Sequence, residues 1–338
     1  MPGYNDMVQQ PTRMARPSRG RARGRNVRHR WLSRVSALLA CLVSLPVVVA
    51  LPAAAAPVMT EAELRAAWAA DPVVTLGASI TLTDCSATGG ELARSDTADL
   101  TVEGNGFTIT QTCPGARVAQ TSGGTLTLAD VTVTGGDLVD DTAHDVGGGG
   151  IRAGGALIGT RISVVGNAVT ASAPDGGVFA RGGGLWVGGA LRLQESTVED
   201  NRVTVATSSS VGMGGGIFTA GGTIDASTIA GNEAHGTTAA IGGGIDMGSS
   251  SSAPLVGPLT ITNSTVTDNR AVAPAGATFG GGLTTSTRVR VVDTTIADNS
   301  AATGANVSAD LTTPFRSGEI DALATVVANP QSGGADCF

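Results

Sequence analysis

The segment Gly182 to Asn201, GGGLWVGGALRLQESTVEDN, recurs along the chain, and no other feature restricts its folding as strongly. Copies begin at Gly148, Gly182, Gly214, Gly242 and Gly280 with a glycine triplet followed by Ile or Leu, and they close on Asn167, Asn201, Asn232, Asn269 and Asn299. Three residues before each closing asparagine stand Val164, Val198, Ile229, Val266 and Ile296. Eight before it stand Leu193, Ile224, Ile261 and Val291, with Gly159 as the exception, and ten before it Leu157, Leu191, Leu259 and Val289. These apolar columns predict three short strands per unit: one after the triplet, one around L-x-L and one around S-T-V/I. The spacing between triplets varies from 28 to 38 residues, chiefly in the segment after the asparagine, which reads as loop. Short strands repeating about every 30 residues stack as the coils of a parallel β-helix, about 4.8 Å apart. The glycines allow turns where a Cβ would clash, and stacked asparagines satisfy backbone groups at the bends.

Upstream of the triplets, period-two segments from Val73 to about Thr134 extend the same pattern, among them LTVEG at 100–104 and LTLADVTVT at 126–134. A solenoid must cover its first coil, because an open row of strand hydrogen-bonding groups invites aggregation. The segment 57–72 is predicted to supply that cover as a short helix. Thr60 and Glu63 form a capping-box pair, Leu64, Ala67 and Trp68 share one face, and Pro72 stops the helix. The β-helix is accordingly expected over 73–338, with its regular repeats at 148–299.

The first 34 residues carry nine arginines against the single acid Asp6, and an apolar run from Val35 leads into small residues at Ala53 to Ala56. This order predicts a secretory signal peptide over 1–56 and a secreted or cell-surface location. Pro46 and Pro52 interrupt a run short of the roughly 20 apolar residues a spanning helix needs, so no stable membrane insertion of the mature chain is expected. Cys41 ends a poor lipidation motif. After the leader, 27 acids face 12 arginines, a net charge of about −15, and the chain has no lysine. That balance argues against nucleic acid as a partner. Cys85 and Cys113 are expected to form a disulfide in an exported chain, worth roughly 3 to 4 kcal/mol. Cys337 is then an odd cysteine, for which a partner on another molecule, or in a further segment of a longer chain, is expected.

The combination of GGG-I/L with N-S-T-V/I-x-x-N resembles the repeat of the polymorphic outer membrane protein family. It is also similar to exported bacterial right-handed β-helix proteins with a pectin-lyase-like fold. The resemblance runs from about Val74 to Asn329, and VEGNGFTIT, GGTLTLADVTVTGG and the late VVANPQSGGADC also resemble segments of those proteins. It implies a right-handed parallel β-helix, all-β apart from the capping helix, and a surface or secreted protein of structural or adhesive role. In that family the last segment leads into further coils, so a truncated final region is expected here. The wider fold includes polysaccharide lyases and hydrolases, and fold alone does not choose among these roles. Galacturonase-type enzymes of the fold carry Gly-His-Gly and Arg-x-Lys elements; this chain has no lysine, and neither His144 nor His235 lies between glycines. A lyase acting on acidic polysaccharide remains as an alternative, with carboxylates such as Asp200, Asp268 and Asp298 before the closing asparagines, although a position set by the repeat reads first as a solvated corner.

Two sets of residues depart from pure scaffold. The stretch DLVDDTAHDVGGGG places Asp137, Asp140, Asp141, His144 and Asp145 in one expected loop, a candidate calcium site through the four aspartates. If the Ile or Leu after each triplet points inward, the next residue points outward, giving the column Arg152, Trp186, Phe218, Asp246 and Thr284. Exposed Trp186 and Phe218 would form a sugar-stacking platform flanked by Arg152 and Asp246 for hydroxyls, with polysaccharide or cell-surface components as partners. The alternative is that segments such as 201–212 fold back and bury the rings.

Overall fold

In the computed structural model, the described residues are 56–250, 253–309, 318–331 and Cys337. The chain divides into Met1–Pro52 and Ala53–Phe338, and the following concerns the second unit. The expected leader and Cys41 lie outside the described residues.

Alternating apolar residues produce strands only two to five residues long, and each finds its partner in a neighbouring coil rather than in its chain neighbour. All strand pairs are parallel, as in Leu185–Val187, which pairs Ile151–Ala153 on one side and Ile217–Thr219 on the other. The first sheet, which follows the glycine triplets, runs from Leu92–Arg94 to Val307–Ser308 in eight strands. The second, built on L-x-L, runs from Val73–Thr75 to Glu319–Leu323 in nine, and the third, built on S-T-V/I, from Ile80–Leu82 to Val326–Ala328 in nine. Their inward columns, including Leu157, Leu191, Leu193, Val198, Ile224, Ile229, Ile261 and Val266, form one continuous buried core. The parallel β-solenoid expected from the repeat is therefore present.

The expected three strands per unit are a correction point, because the coils that begin at Gly148, Gly182, Gly214 and Gly242 have five, and only the one at Gly280 has three. The segment after the asparagine is not a loop but a pair of strands, such as Arg202–Val205 and Val211–Met213 in the Gly182 coil. These strands build a fourth sheet from Asp137–Asp140 to Arg270–Val272 and a fifth from Asp145–Gly147 to Ala277–Phe279, five strands each. The two sheets pack on each other as an outer lobe around Leu138, Val146, Val169, Val178, Val203 and Val205. The same positions are filled further on by Ala234, Ala240, Ala271 and Ala301.

The neck between barrel and lobe explains both signatures of the repeat together. Each closing asparagine is buried, and from Asn201 onward its Oδ1 accepts from the backbone N–H and the Nδ2 of the asparagine one coil earlier, as between Asn201 and Asn232 at 3.0 Å each, while the Oδ1 of Asn167 accepts from the Gly136 backbone N–H at 3.0 Å. Its Nδ2 also donates to a carbonyl of the earlier coil, as from Asn232 to Val198 at 2.9 Å. The third glycine of the triplet lies against this amide: a Cβ on Gly216 would sit 2.8 Å from Asn232 Cγ, and one on Gly184 2.9 Å from Asn201 Cγ. Where Asn306 stands in the corresponding place after Gly304 and Ala305, its own Oδ1 accepts from Asn299 and so occupies the next rung. The residue before each ladder asparagine has a left-handed backbone: Gly166 and Gly231 at φ 65° and 62°, Asp200, Asp268 and Asp298 at 53°, 55° and 58°. Glycine and aspartate tolerate that conformation, so this bend accounts for the recurrence of aspartate in the column.

The lid over the first coil is the helix α1, Glu61–Ala70, with the expected capping box at Thr60 and Glu63 and with Leu64, Ala67 and Trp68 buried beneath it. Polar contacts fix its orientation. Glu61 accepts from the backbone of Thr83 and Asp84 at 2.9 Å each, and Arg65 donates to the carbonyls of Gly90 and Glu91 at 2.8 Å each. No basic residue lies in the last turn of α1, and Arg94 of the first sheet serves there instead, donating to the Asp71 carbonyl at 2.6 Å. Cys85 and Cys113 form the expected disulfide, 28 positions apart in sequence. Among the described residues no helix is long and apolar enough to cross a membrane.

Candidate functional site

The column that the repeat predicts on the outer face of the first sheet is formed in register: Arg152 beside Trp186, Trp186 beside Phe218, Phe218 beside Asp246 and Asp246 beside Thr284. Its exposure follows the alternative expected from the sequence, in which the segment 201–212 folds back over the rings. Trp186 is 2 % exposed, Phe218 0 % and Asp246 4 %, so the sugar-stacking platform proposed from the sequence is corrected. The physical reason is the fifth sheet, whose strands end directly before the glycine triplets and therefore lie against the outer face of the first sheet. A Cβ on Gly147 would come within 2.7 Å of Trp186 Cδ1, and the Arg181 guanidinium lies 5.3 Å from the Phe218 ring centroid. Ala220, Ala253 and Met213 complete the cover. The rings themselves stack at 6.4 Å between centroids with 12° between planes.

The four aspartates of the expected calcium loop are likewise not gathered into one site. Asp137 and Asp140 begin and end a strand of the fourth sheet, and Asp145 opens a strand of the fifth. Residues three apart on a strand point to opposite faces. Asp140 Oδ1 accepts from the backbone of Thr142 and Ala143 at 2.9 and 2.8 Å. Partial burial pushes its carboxyl up, but those amide donors bring it below the usual carboxylate range. Asp145 pairs with Arg181 of the next coil, while Asp137 and Asp141 are exposed. Among the described residues no group of three His, Cys, Asp or Glu could hold a metal ion.

What remains open is the start of the column. The first sheet begins at Leu92–Arg94, but the lobe begins only at Asp137, so Gln120 and Arg152 precede the covered stretch that opens with Trp186. At this step lies a cleft of about 300 Å³ lined by Gln120, Thr121, Ser122, Arg152, Gly154 and Trp186. The Arg152 guanidinium is 4.7 Å from the centroid of the Trp186 ring, a cation–π contact. Behind it sits Glu91, whose Oε1 accepts from Gln120 Nε2 at 2.6 Å and whose Oε2 is 2.8 Å from Arg117 Nε. Arg117 is itself buried and donates to the Gly147 carbonyl at 3.2 Å. Burial pushes the Glu91 carboxyl above the usual range, against the opposing pull of Arg117 and Arg152. Burial also lowers the Arg117 guanidinium, with Glu91 acting in the other direction.

Glu91, Arg117 and Gln120 were not singled out from the sequence. Counting one coil back from Arg152 along the outward column reaches Gln120, but Glu91 and Arg117 come from irregular coils where no repeat sets a register. Cys85–Cys113 lies just before Glu91, and Gln111 donates to the Gly90 and Arg117 carbonyls at 2.8 and 2.7 Å, so the connections on both sides of the pair are tied down. The chain matches no protein-family model, no curated protein and no solved structure.

Proposed function

We propose that this is an exported β-solenoid of the polymorphic outer membrane repeat type, with a structural or adhesive role at or beyond the cell surface. The observation that carries this reading is the use of the repeat's signature residues. The glycine triplet, the closing asparagine and the inward columns are all consumed in building a capped rod. The Cys85–Cys113 disulfide supports an oxidising compartment, in keeping with the leader expected from the sequence. Fractionation of the producing cells tests it. Recovery at the surface or in the medium, with the N-terminus near Pro57 and Cys85 oxidised, is expected; recovery in the cytosol with both thiols reduced would overturn the reading.

A second reading, carbohydrate binding, is favoured by the cleft at the start of the lobe, where Gln120, Ser122 and Arg152 offer hydrogen-bonding groups beside Trp186. A polysaccharide screen separates the possibilities. Retention without turnover selects binding, new unsaturated product from uronic-acid polymers selects a lyase, and neither leaves the structural role alone.

A further inference from the structure

We propose that the cleft takes a carboxylate-bearing sugar unit, with the Arg152 guanidinium reading the carboxylate; this rests on the carbohydrate-binding reading. Arginines elsewhere in the described residues are mostly committed. Arg65, Arg94, Arg117, Arg161, Arg181, Arg202, Arg270 and Arg288 all have ion pairs, and Arg192 and Arg290 stand on the exposed face of the second sheet. Arg152 alone is half-buried yet makes neither a hydrogen bond nor an ion pair within 4.0 Å among the described residues. A guanidinium has five N–H donors in a rigid plane that match the two oxygens of a carboxylate. Here that plane is held over a ring that the fifth sheet has already immobilised, so little side-chain freedom is lost on binding.

The neighbouring acid does not satisfy Arg152. Both oxygens of Glu91 are occupied, one by Gln120 and the other by Arg117. The Glu91–Arg117 pair is neutral in sum and leaves Arg152 as the positive group that faces the cleft. One uncommitted cation fits a monoanion better than a phosphate, which collects several cations. The cleft, about 300 Å³, lies at the lower bound for ligand pockets and suits a single ring. Its remaining polar side chains, Gln120 and Ser122, suit hydroxyls, and the buried Trp186 ring backs the Arg152 guanidinium. The exported part has a charge of about −15, so anions are not drawn in at long range and recognition depends on these local donors.

The test is an NMR titration of the full chain with glucuronic acid, glucose and inorganic phosphate, following the Trp186 indole N–H, assigned by its loss in Trp186→Phe. Glucuronate is expected to shift this signal saturably and to bind roughly tenfold or more tightly than glucose, as a charge-assisted hydrogen-bonded pair requires. Arg152→Gln should remove that preference, and Arg152→Lys, which keeps the charge but not the fork, should retain part of it; an unchanged thermal midpoint shows that either variant is folded. Equal binding of glucose and glucuronate overturns the carboxylate assignment and leaves the carbohydrate reading standing, as does a preference that survives in Arg152→Gln. Phosphate binding as tight as glucuronate overturns the sugar-acid assignment in favour of a simple anion subsite. No shift with any of the three overturns both the proposal and the reading beneath it.

Discussion

In the coil that begins at Gly182, Leu185, Leu191, Leu193 and Val198 face the barrel core, while Val203 and Val205 face the core of the outer lobe. Two coils later the barrel still receives Ile245, Leu259, Ile261 and Val266, but the lobe receives Ala271. The barrel thus keeps a constant apolar section, whereas the lobe thins to alanine. Each buried methylene is worth about 0.8 kcal/mol, so the two regions have the same hydrogen-bond ladders but very different apolar stabilisation. Parallel ladders alone do not demand large side chains. The lobe can be thin because the buried asparagines at the neck satisfy the backbone where the chain leaves the barrel.

The largest expected effect lies at that neck. Gly216→Ala would place a Cβ against the Asn232 amide and within 2.9 Å of the Gly244 carbonyl, both held by neighbouring coils. A loss of about 3 to 5 kcal/mol is expected from overpacking plus disrupted buried hydrogen bonds, read by denaturant unfolding. A loss under about 1 kcal/mol would mean that the neck adapts and does not hold the two regions together. Next in size is a matched pair of core truncations. Leu193→Ala should cost about 2 to 5 kcal/mol and Val203→Ala about 1 to 2, so equal costs would erase the distinction between barrel and lobe.

A smaller effect concerns the lid. Hydrogen bonds from Thr83, Asp84 and Arg65 hold the Glu61 carboxyl down at about 2, from an ordinary 4.5, despite the opposing effect of burial. The folded value is the lower one, so this stabilisation is full above pH 4.5 and is lost as the pH falls towards about 2. Hydrogen exchange across Glu61–Ala70 should speed up over that window in the parent and change less in Glu61→Gln. The lobe amides serve as the reference, and acceleration that is uniform across both regions would contradict a local effect at the barrel end. The smallest expected change is a gain. Thr121 is buried and its hydroxyl has no partner among the described residues, so Thr121→Val should raise stability by about 1 kcal/mol, measured as a higher denaturation midpoint. A loss instead would show that the hydroxyl is satisfied in solution.

The barrel was legible because its information is periodic. Val164, Val198, Ile229, Val266 and Ile296 repeat at one distance from an asparagine, and a side-chain period of two then assigns every neighbour a face. The lid was legible from local chemistry, the Thr60–Glu63 box and the face shared by Leu64 and Trp68. The lobe strands were not. Runs such as Glu233–His235 and Ala239–Ile241 are three residues long, rich in alanine and polar side chains, and become strands only through pairing one coil away.

Residue order alone established the coil, its inward columns, the lid and the register of Arg152, Trp186 and Phe218 on one outward line, because each follows from spacing along the chain. Tertiary structure decided what lies over that line. Alternation states which side of its own strand a residue occupies, but nothing in a strand's sequence specifies what packs on the far side. The fifth sheet does so here, closing over Trp186 and Phe218 and stopping short of Gln120 and Arg152, and that boundary forms the cleft.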